Sequence, residues 1–178
     1  MALEIERRFL VSGNGWTAHV DWEAELQQGY LIHRADGLTA RVRLQEQSGC
    51  PPLAWLTIKA VASAEAPAHG RLEFEYPIPV EDAQALLKQA PWQVNKKRYG
   101  LLLPSGDWVL DVFNGANAPL VIAEVELQKA EDTPPIPAWC VREITGLHQL
   151  SNAALAHLPW QQWEPEDRRA TLPGLLGA

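Results

Sequence analysis

The sequence predicts an α+β protein whose antiparallel sheet is strongly curved or closed, and three observations lead there. Eight segments alternate apolar and polar residues with period two, the pattern of half-buried strands: Leu3 to Val11, Tyr30 to His33, Leu38 to Gln45, Leu53 to Val61, Arg71 to Ile78, Trp92 to Leu103, Trp108 to Phe113 and Leu120 to Gln128. Turn residues stand between several of them, at Ser48-Gly49, Pro51-Pro52, Ser105-Gly106-Asp107 and Asn114-Gly115. Helical spacing is confined to short pieces near Trp16 to Leu26, Glu81 to Ala90 and Leu150 to Leu158.

Taken in order, the strands carry a second pattern. The first has Glu4 and Glu6 around Ile5, then Arg7-Arg8 and the apolar run Phe9-Leu10-Val11. The third has Arg41 and Arg43 around Val42, the fourth closes Leu56-Thr57-Ile58 with Lys59, and the fifth has Glu73 and Glu75 around Phe74. The sixth has Lys96 and Arg98 around Lys97, the seventh Asp111 between Leu110 and Val112, and the last Glu124 and Glu126 around Val125. Residues i and i+2 of a strand share a face, so each charged pair points one way and its apolar neighbours the other. Acids occupy the first, fifth and last strands and bases the third, fourth and sixth, whereas a solvated face usually mixes signs within one strand. The arrangement predicts a charged lumen, with the apolar face turned outward against the helices. Each unpaired buried charge costs several kcal/mol against a total stability of about 5–15 kcal/mol, so such a lumen must hold water, metal ions and an anion. Thr133 to Pro137 is too proline-rich to extend a strand and reads as a turn. The acid pairs beginning at Asp21, Glu23 and Glu164 read as solvated surface.

The chain has 178 residues, near the prior of about 150 for one domain. We expect a single domain over residues 1–160 and a polar C-terminal tail over 161–178. A net charge of -7 repels nucleic acid and anionic membranes, so neither is expected as a partner. Two cysteines, Cys50 and Cys140, show no disulfide or zinc spacing. The N-terminus places acids and bases where a signal peptide needs an apolar run, and no apolar stretch is long enough to span a bilayer, which predicts a cytoplasmic protein.

Each half of the charged face has a chemical meaning. Clustered carboxylates are hard oxygen ligands for Mg²⁺ or Mn²⁺. Arginine forks and lysine ammonium groups suit phosphate oxygens. Acids for a metal, and bases for a polyphosphate sharing that metal, describe phosphoryl transfer by electrostatic stabilisation. No glycine-rich phosphate loop occurs, so side chains would hold the phosphates.

The motifs resemble the CYTH superfamily, the triphosphate tunnel metalloenzymes. Its first-strand signature Glu-x-Glu-x-Lys is met by Glu4-Ile5-Glu6-Arg7-Arg8, and the resemblance continues through Gln28-Gly29-Tyr30-Leu31, Arg41-Val42-Arg43, Leu56-Thr57-Ile58-Lys59, Glu73-Phe74-Glu75, Lys96-Lys97-Arg98-Tyr99, Asp111-Val112-Phe113 and Ala123-Glu124-Val125-Glu126-Leu127. It implies a closed antiparallel eight-stranded tunnel and metal-dependent hydrolysis of a triphosphate, with the short bacterial branch acting on inorganic tripolyphosphate as the best match. The alternatives are a class IV type adenylate cyclase and a polyphosphate-binding module without turnover. By this resemblance Glu4, Glu6, Glu124 and Glu126 lie near the metals, and Glu73, Glu75 and Asp111 serve a second metal or pair with bases. Arg41, Arg43, Lys59, Lys96 and Arg98 hold phosphates, and Tyr30, Arg8 and Lys96 form the catalytic set. Two departures stand out. Arg8 replaces the signature lysine and cannot act as a base, and the usual C-terminal Thr-Gly-Asp, aromatic, Asn pattern is here Thr145-Gly146-Leu147 followed by Leu150-Ser151-Asn152.

Overall fold

The computed structural model describes residues 2–61, 71–129 and 131–172, with the backbone alone at 2–4, 61 and 71. Ten strands form one antiparallel sheet: β1 (Ala2–Glu4), β2 (Glu6–Val11), β3 (Val20–His33), β4 (Thr39–Glu46), β5 (Leu53–Val61), β6 (Arg71–Pro77), β7 (Trp92–Leu101), β8 (Asp107–Phe113), β9 (Val121–Glu126) and β10 (Cys140–Glu143). Their spatial order is β1-β6-β5-β4-β3-β7-β8-β9-β2-β10. Helices α1 (Val80–Gln89), α2 (Asn152–His157) and α3 (Pro165–Thr171) complete an α+β fold.

Among the described residues the strand count is ten and not the expected eight. The first expected strand is divided at Ile5, with β1 pairing to β6 and β2 to β9. The other addition, β10, pairs with β2 through a register shift between Cys140 and Arg142, and four residues are too few to show a period in sequence. The helix expected from Trp16 to Leu26 is absent. Gly15–His19 is a short 3-10 turn, and Val20–His33 forms a fourteen-residue strand. Val20, Trp22, Ala24 and Leu26 alternate with Asp21, Glu23, Glu25 and Gln27, and that period overrides the helix propensity of Ala, Leu, Glu and Gln.

Helix α1 opens after Pro79 with Glu81 and Asp82 in its first turn, where the helix dipole favours acids. It packs Ala83 and Leu87 against Val42, Leu44 and Ala54, the apolar sides of β4 and β5. Gly29 makes this approach possible: a Cβ there would stand 2.7 Å from Ala90 Cβ and 2.9 Å from Leu87 Cδ2.

The opposite face grades along each strand from charge to hydrocarbon. Two residues beyond Arg8, Lys96, Asp111 and Glu124 come Leu10, Val94, Phe113 and Ile122, and these four join one buried cluster with Leu150, Leu155, Trp160, Trp163 and Leu172. The C-terminal segment therefore caps the apolar half of the face. Trp163 and Leu172 place part of the 161–178 stretch within this core, and residues 173–178 lie outside the described residues. Among the described residues, no helix is long and apolar enough to cross a membrane.

Candidate functional site

The strands β2, β9, β8 and β7 build one wall of charge on this face. Register sets Arg8 opposite Glu124 and Arg98 opposite Asp111. Arg98 donates from Nε to Asp111 Oδ1 at 2.7 Å and from its terminal nitrogen to Asp111 Oδ2 at 2.7 Å and to Glu124 Oε2 at 2.8 Å. Arg8 donates from Nε to Glu124 Oε1 at 3.0 Å and from its terminal nitrogen to the Leu150 carbonyl at 3.1 Å, with Glu6 Oε1 3.8 Å away. Lys96 Nζ donates to Asp111 Oδ2 and, at 2.9 Å, to Asn152 Oδ1. Lys96 and Asp111 are fully buried.

The electrostatics follow from this closure. Burial favours neutral Asp111 and Glu124, but Arg98 and Lys96 around the first, and Arg8 and Arg98 around the second, outweigh it and hold both carboxyls below the usual carboxylate range. Burial also opposes the cations of Arg8 and Arg98, yet Glu124 beside the first and Asp111 beside the second raise both pKa values. For Lys96 burial wins, lowering its pKa to about 8 despite Asp111.

The second wall, on β4, β5 and β6, is looser. Thr57 Oγ1 receives a hydrogen bond from Arg41 at 3.1 Å and donates to Glu75 Oε2 at 2.8 Å. Arg43 reaches Glu75 Oε1 at 3.0 Å and lies over the Trp55 ring at 4.6 Å. Arg41 stands 3.8 Å from Glu73, and Lys59 3.5 Å from Glu73. Three buried polar atoms on β3 and β4 have no hydrogen-bond partner: Gln28 Oε1, Arg41 Nε and Arg43 Nε. Burial and the neighbouring Arg41 lower the Arg43 pKa to about 10, which leaves it a cation at neutral pH.

Between the walls lies a cavity of about 500 Å³. Of the residues singled out in the sequence, Glu6, Arg41, Arg43, Lys59, Glu73, Glu75, Arg98, Glu124 and Glu126 line it. A smaller hollow of about 60 Å³ adjoins it at Glu6, Arg41, Lys59 and Asn152, and brings in Arg8 and Tyr30. Tyr30 is buried, and burial raises its pKa although Arg41 and Lys59 pull the other way, so the phenol keeps its proton. Lys96 and Asp111 are not among the residues lining either space, since each is enclosed by the partners just named. Glu4 lies on β1 opposite Arg71, and its side chain falls outside the described residues.

Of the seven acids expected at metals or in pairs with bases, Glu124, Asp111 and Glu75 have both oxygens engaged by Arg, Lys or Thr donors. Glu6 and Glu126 face each other across the β2–β9 ladder at the cavity. Among the described residues no three His, Cys, Asp or Glu side chains are grouped to hold an ion by themselves. Two carboxylates joined by substrate phosphates nevertheless suit Mg²⁺ or Mn²⁺, which seldom take an all-protein cage. The donor set at Glu6 and Glu126 thus fits such an ion.

Sequence reasoning missed Gln28, Thr57 and Asn152 as site residues. Thr57 carried a usable signal, standing two residues before Lys59 and therefore on the same face. Gln28 stands in the motif Gln28-Gly29-Tyr30-Leu31, but with the strand expected to begin only at Tyr30 its face stays unassigned. Asn152 comes from a distant helix, and only the fold brings it to Lys96.

Residues 2–156 match the family described as CYTH domain. An inorganic triphosphatase of Acetivibrio thermocellus is 32% identical over 166 residues, covering 92% of this chain and 99% of that protein. An inorganic triphosphatase of Nitrosomonas europaea is 32% identical over 160 residues, covering 86% of this chain and 96% of that protein. Among solved structures, the crystal structure of an inorganic triphosphatase aligns with a TM-score of 0.57 at 31% identity, covering 88% of this chain and 95% of the other.

Proposed function

The chain belongs to the CYTH domain family, and from that premise we propose that it hydrolyses inorganic tripolyphosphate in the charged cavity, with Mg²⁺ or Mn²⁺ as cofactor. The observation that carries this reading is the cavity itself, where Arg41, Arg43, Lys59 and Arg98 converge and the Nε groups of two arginines remain buried without partners. Four cations around one space repel one another, and phosphate oxygens offset that repulsion and accept hydrogen bonds from guanidinium and ammonium groups.

The fold supports a tunnel. Ile5 alone separates β1, at one end of the strand order, from β2 near the other. Counting β1 and β2 as one strand and setting β10 aside would give the eight strands of the barrel expected of the family, although the strand order itself is that of an open sheet ending at β1 and β10.

Within that tunnel Glu6 and Glu126 would hold the divalent ion, which when bound neutralises phosphate charge as a Lewis acid. Arg41, Arg43, Lys59 and Arg98 grip the chain of phosphates and stabilise charge on the equatorial oxygens. Arg8 and protonated Tyr30 orient a water in the smaller hollow. Attack by that water forms a new P–O bond at the terminal phosphorus and breaks the bridging one; a proton of the water passes to a phosphate oxygen of the products, phosphate and pyrophosphate leave, and Arg8 neutralises charge without accepting a proton. Lys96 acts from behind the lining as a fixed positive charge.

Phosphate release from tripolyphosphate, ATP, GTP and CTP, each with Mg²⁺ and with Mn²⁺, tests the reading. We expect higher kcat/KM for tripolyphosphate, little discrimination among nucleotides, and loss of turnover in excess EDTA. A strong preference for ATP with cyclic AMP and pyrophosphate as products overturns it.

A further inference from the structure

Resting on that reading, the geometry points to Asn152 as a substrate-binding residue, its side-chain amide turning the buried charge of Lys96 into a hydrogen-bond donor aimed at a bound phosphate. Lysine only donates, so the atom 2.9 Å from Lys96 Nζ must be the amide oxygen, and the orientation of Asn152 is set by chemistry. Its Nδ2, with two hydrogens, is then held on the other branch of the amide. Asn152 lines both the 500 Å³ cavity and the 60 Å³ hollow, whereas Lys96 lines neither. It therefore stands between an enclosed ammonium and the space a polyanion would enter.

The backbone around it is fixed from several sides. Ser151 caps the helix by accepting from the Ala154 N–H at 3.1 Å, the Leu150 carbonyl holds Arg8, and the Leu155 carbonyl receives Asn117 Nδ2 at 3.0 Å. An amide that accepts from a cation on one branch becomes a stronger donor on the other, since hydrogen bonds in series polarise one another. Placed among guanidinium groups, it adds a neutral donor without adding to their mutual repulsion.

Asparagine-to-aspartate exchange separates this role from a merely structural one. Asn152→Asp keeps the oxygen that receives Lys96 and replaces the two N–H donors with a carboxylate oxygen; Asn152→Leu removes both branches. With tripolyphosphate as the probe, we expect Asn152→Asp to raise KM about tenfold or more while kcat stays within about threefold and Tm does not fall. For Asn152→Leu we expect KM to rise and kcat to fall together, because Lys96 also loses a partner. A KM for folded Asn152→Asp within about twofold of wild type overturns the inference while leaving the proposed function intact. Absence of wild-type turnover overturns the proposed function, and this inference with it. Should Asn152→Asp fail to fold, the rise in Tm on adding tripolyphosphate to Asn152→Leu decides: a smaller rise than in wild type supports the contact, and an equal one overturns it.

Discussion

The two charged walls of the cavity use the same residue types to opposite ends. On β2, β7, β8 and β9, the oxygens of Asp111 and Glu124 are each claimed by Arg or Lys donors at 3.0 Å or less. On β4, β5 and β6, several ion pairs stretch to between 3.5 and 3.8 Å, and Arg41 and Arg43 each keep an unpartnered Nε. None of the orphaned atoms belongs to Arg8, Lys96, Arg98, Asp111 or Glu124. A saturated buried network fixes charge in place, and with it the shape of the site. Cations that line the cavity and hold their carboxylates only at long range are those a ligand can recruit. The first wall is therefore a scaffold that supplies a field, and the second a grip.

The largest expected effect breaks the scaffold. Asp111→Ala leaves Lys96 and Arg98 without their shared carboxylate and should cost about 3–5 kcal/mol, read as a fall in the denaturant midpoint at unchanged m-value. Glu75, with 29% of its side chain exposed, answers to partners in a wetter setting. Glu75→Gln should cost about 1 kcal/mol or less. Equal losses for the two variants would erase the distinction between the walls.

A smaller effect should appear in binding and not in stability. Arg41→Met removes a guanidinium whose buried Nε lacks a partner, so the folded protein loses little while the grip on phosphate weakens. We expect KM for tripolyphosphate to rise about 10- to 100-fold with Tm nearly unchanged. A Tm drop comparable to that of Asp111→Ala would show that Arg41 belongs to the scaffold.

How legible was this in the sequence? Alternation of charged residues around single apolar ones fixed the shared face: Arg41 with Arg43, Glu73 with Glu75 and Glu124 with Glu126 do share the cavity. Period two cannot say which strands are neighbours, so it could not reveal that Asp111 would be consumed by Arg98 and Lys96. Nor could it separate a cation that lines the cavity from one enclosed behind it, since Lys96 and Arg98 have the same spacing and the same face. The difference comes from Asn152 and Phe113, which cover Lys96 from outside its strand and from the next strand. The missed start of β3 has a simpler cause: Glu, Ala, Leu and Gln favour helices, and only strict alternation over Val20 to Gln27 argues against them.

The most gradual effect, spread over pH, tests whether the scaffold is as dry as its geometry implies. Burial lowers the Lys96 pKa to about 8 from its ordinary 10.5. Between these values the unfolded chain holds the proton more often than the folded one, so stability rises as pH increases through that window. Below about pH 8 both states are protonated and the full burial penalty applies; above about pH 10.5 neither is, and the penalty is gone. One proton sets a ceiling of about 1.4 kcal/mol per pH unit, and relaxation around the site keeps the slope below it. Subtracting the stability of Lys96→Met from that of wild type at each pH removes the titration of every other lysine and tyrosine. The difference should climb between pH 8 and 10.5. A flat difference would mean that water or Asp111 compensates the ammonium fully, and that the first wall is no drier than the second.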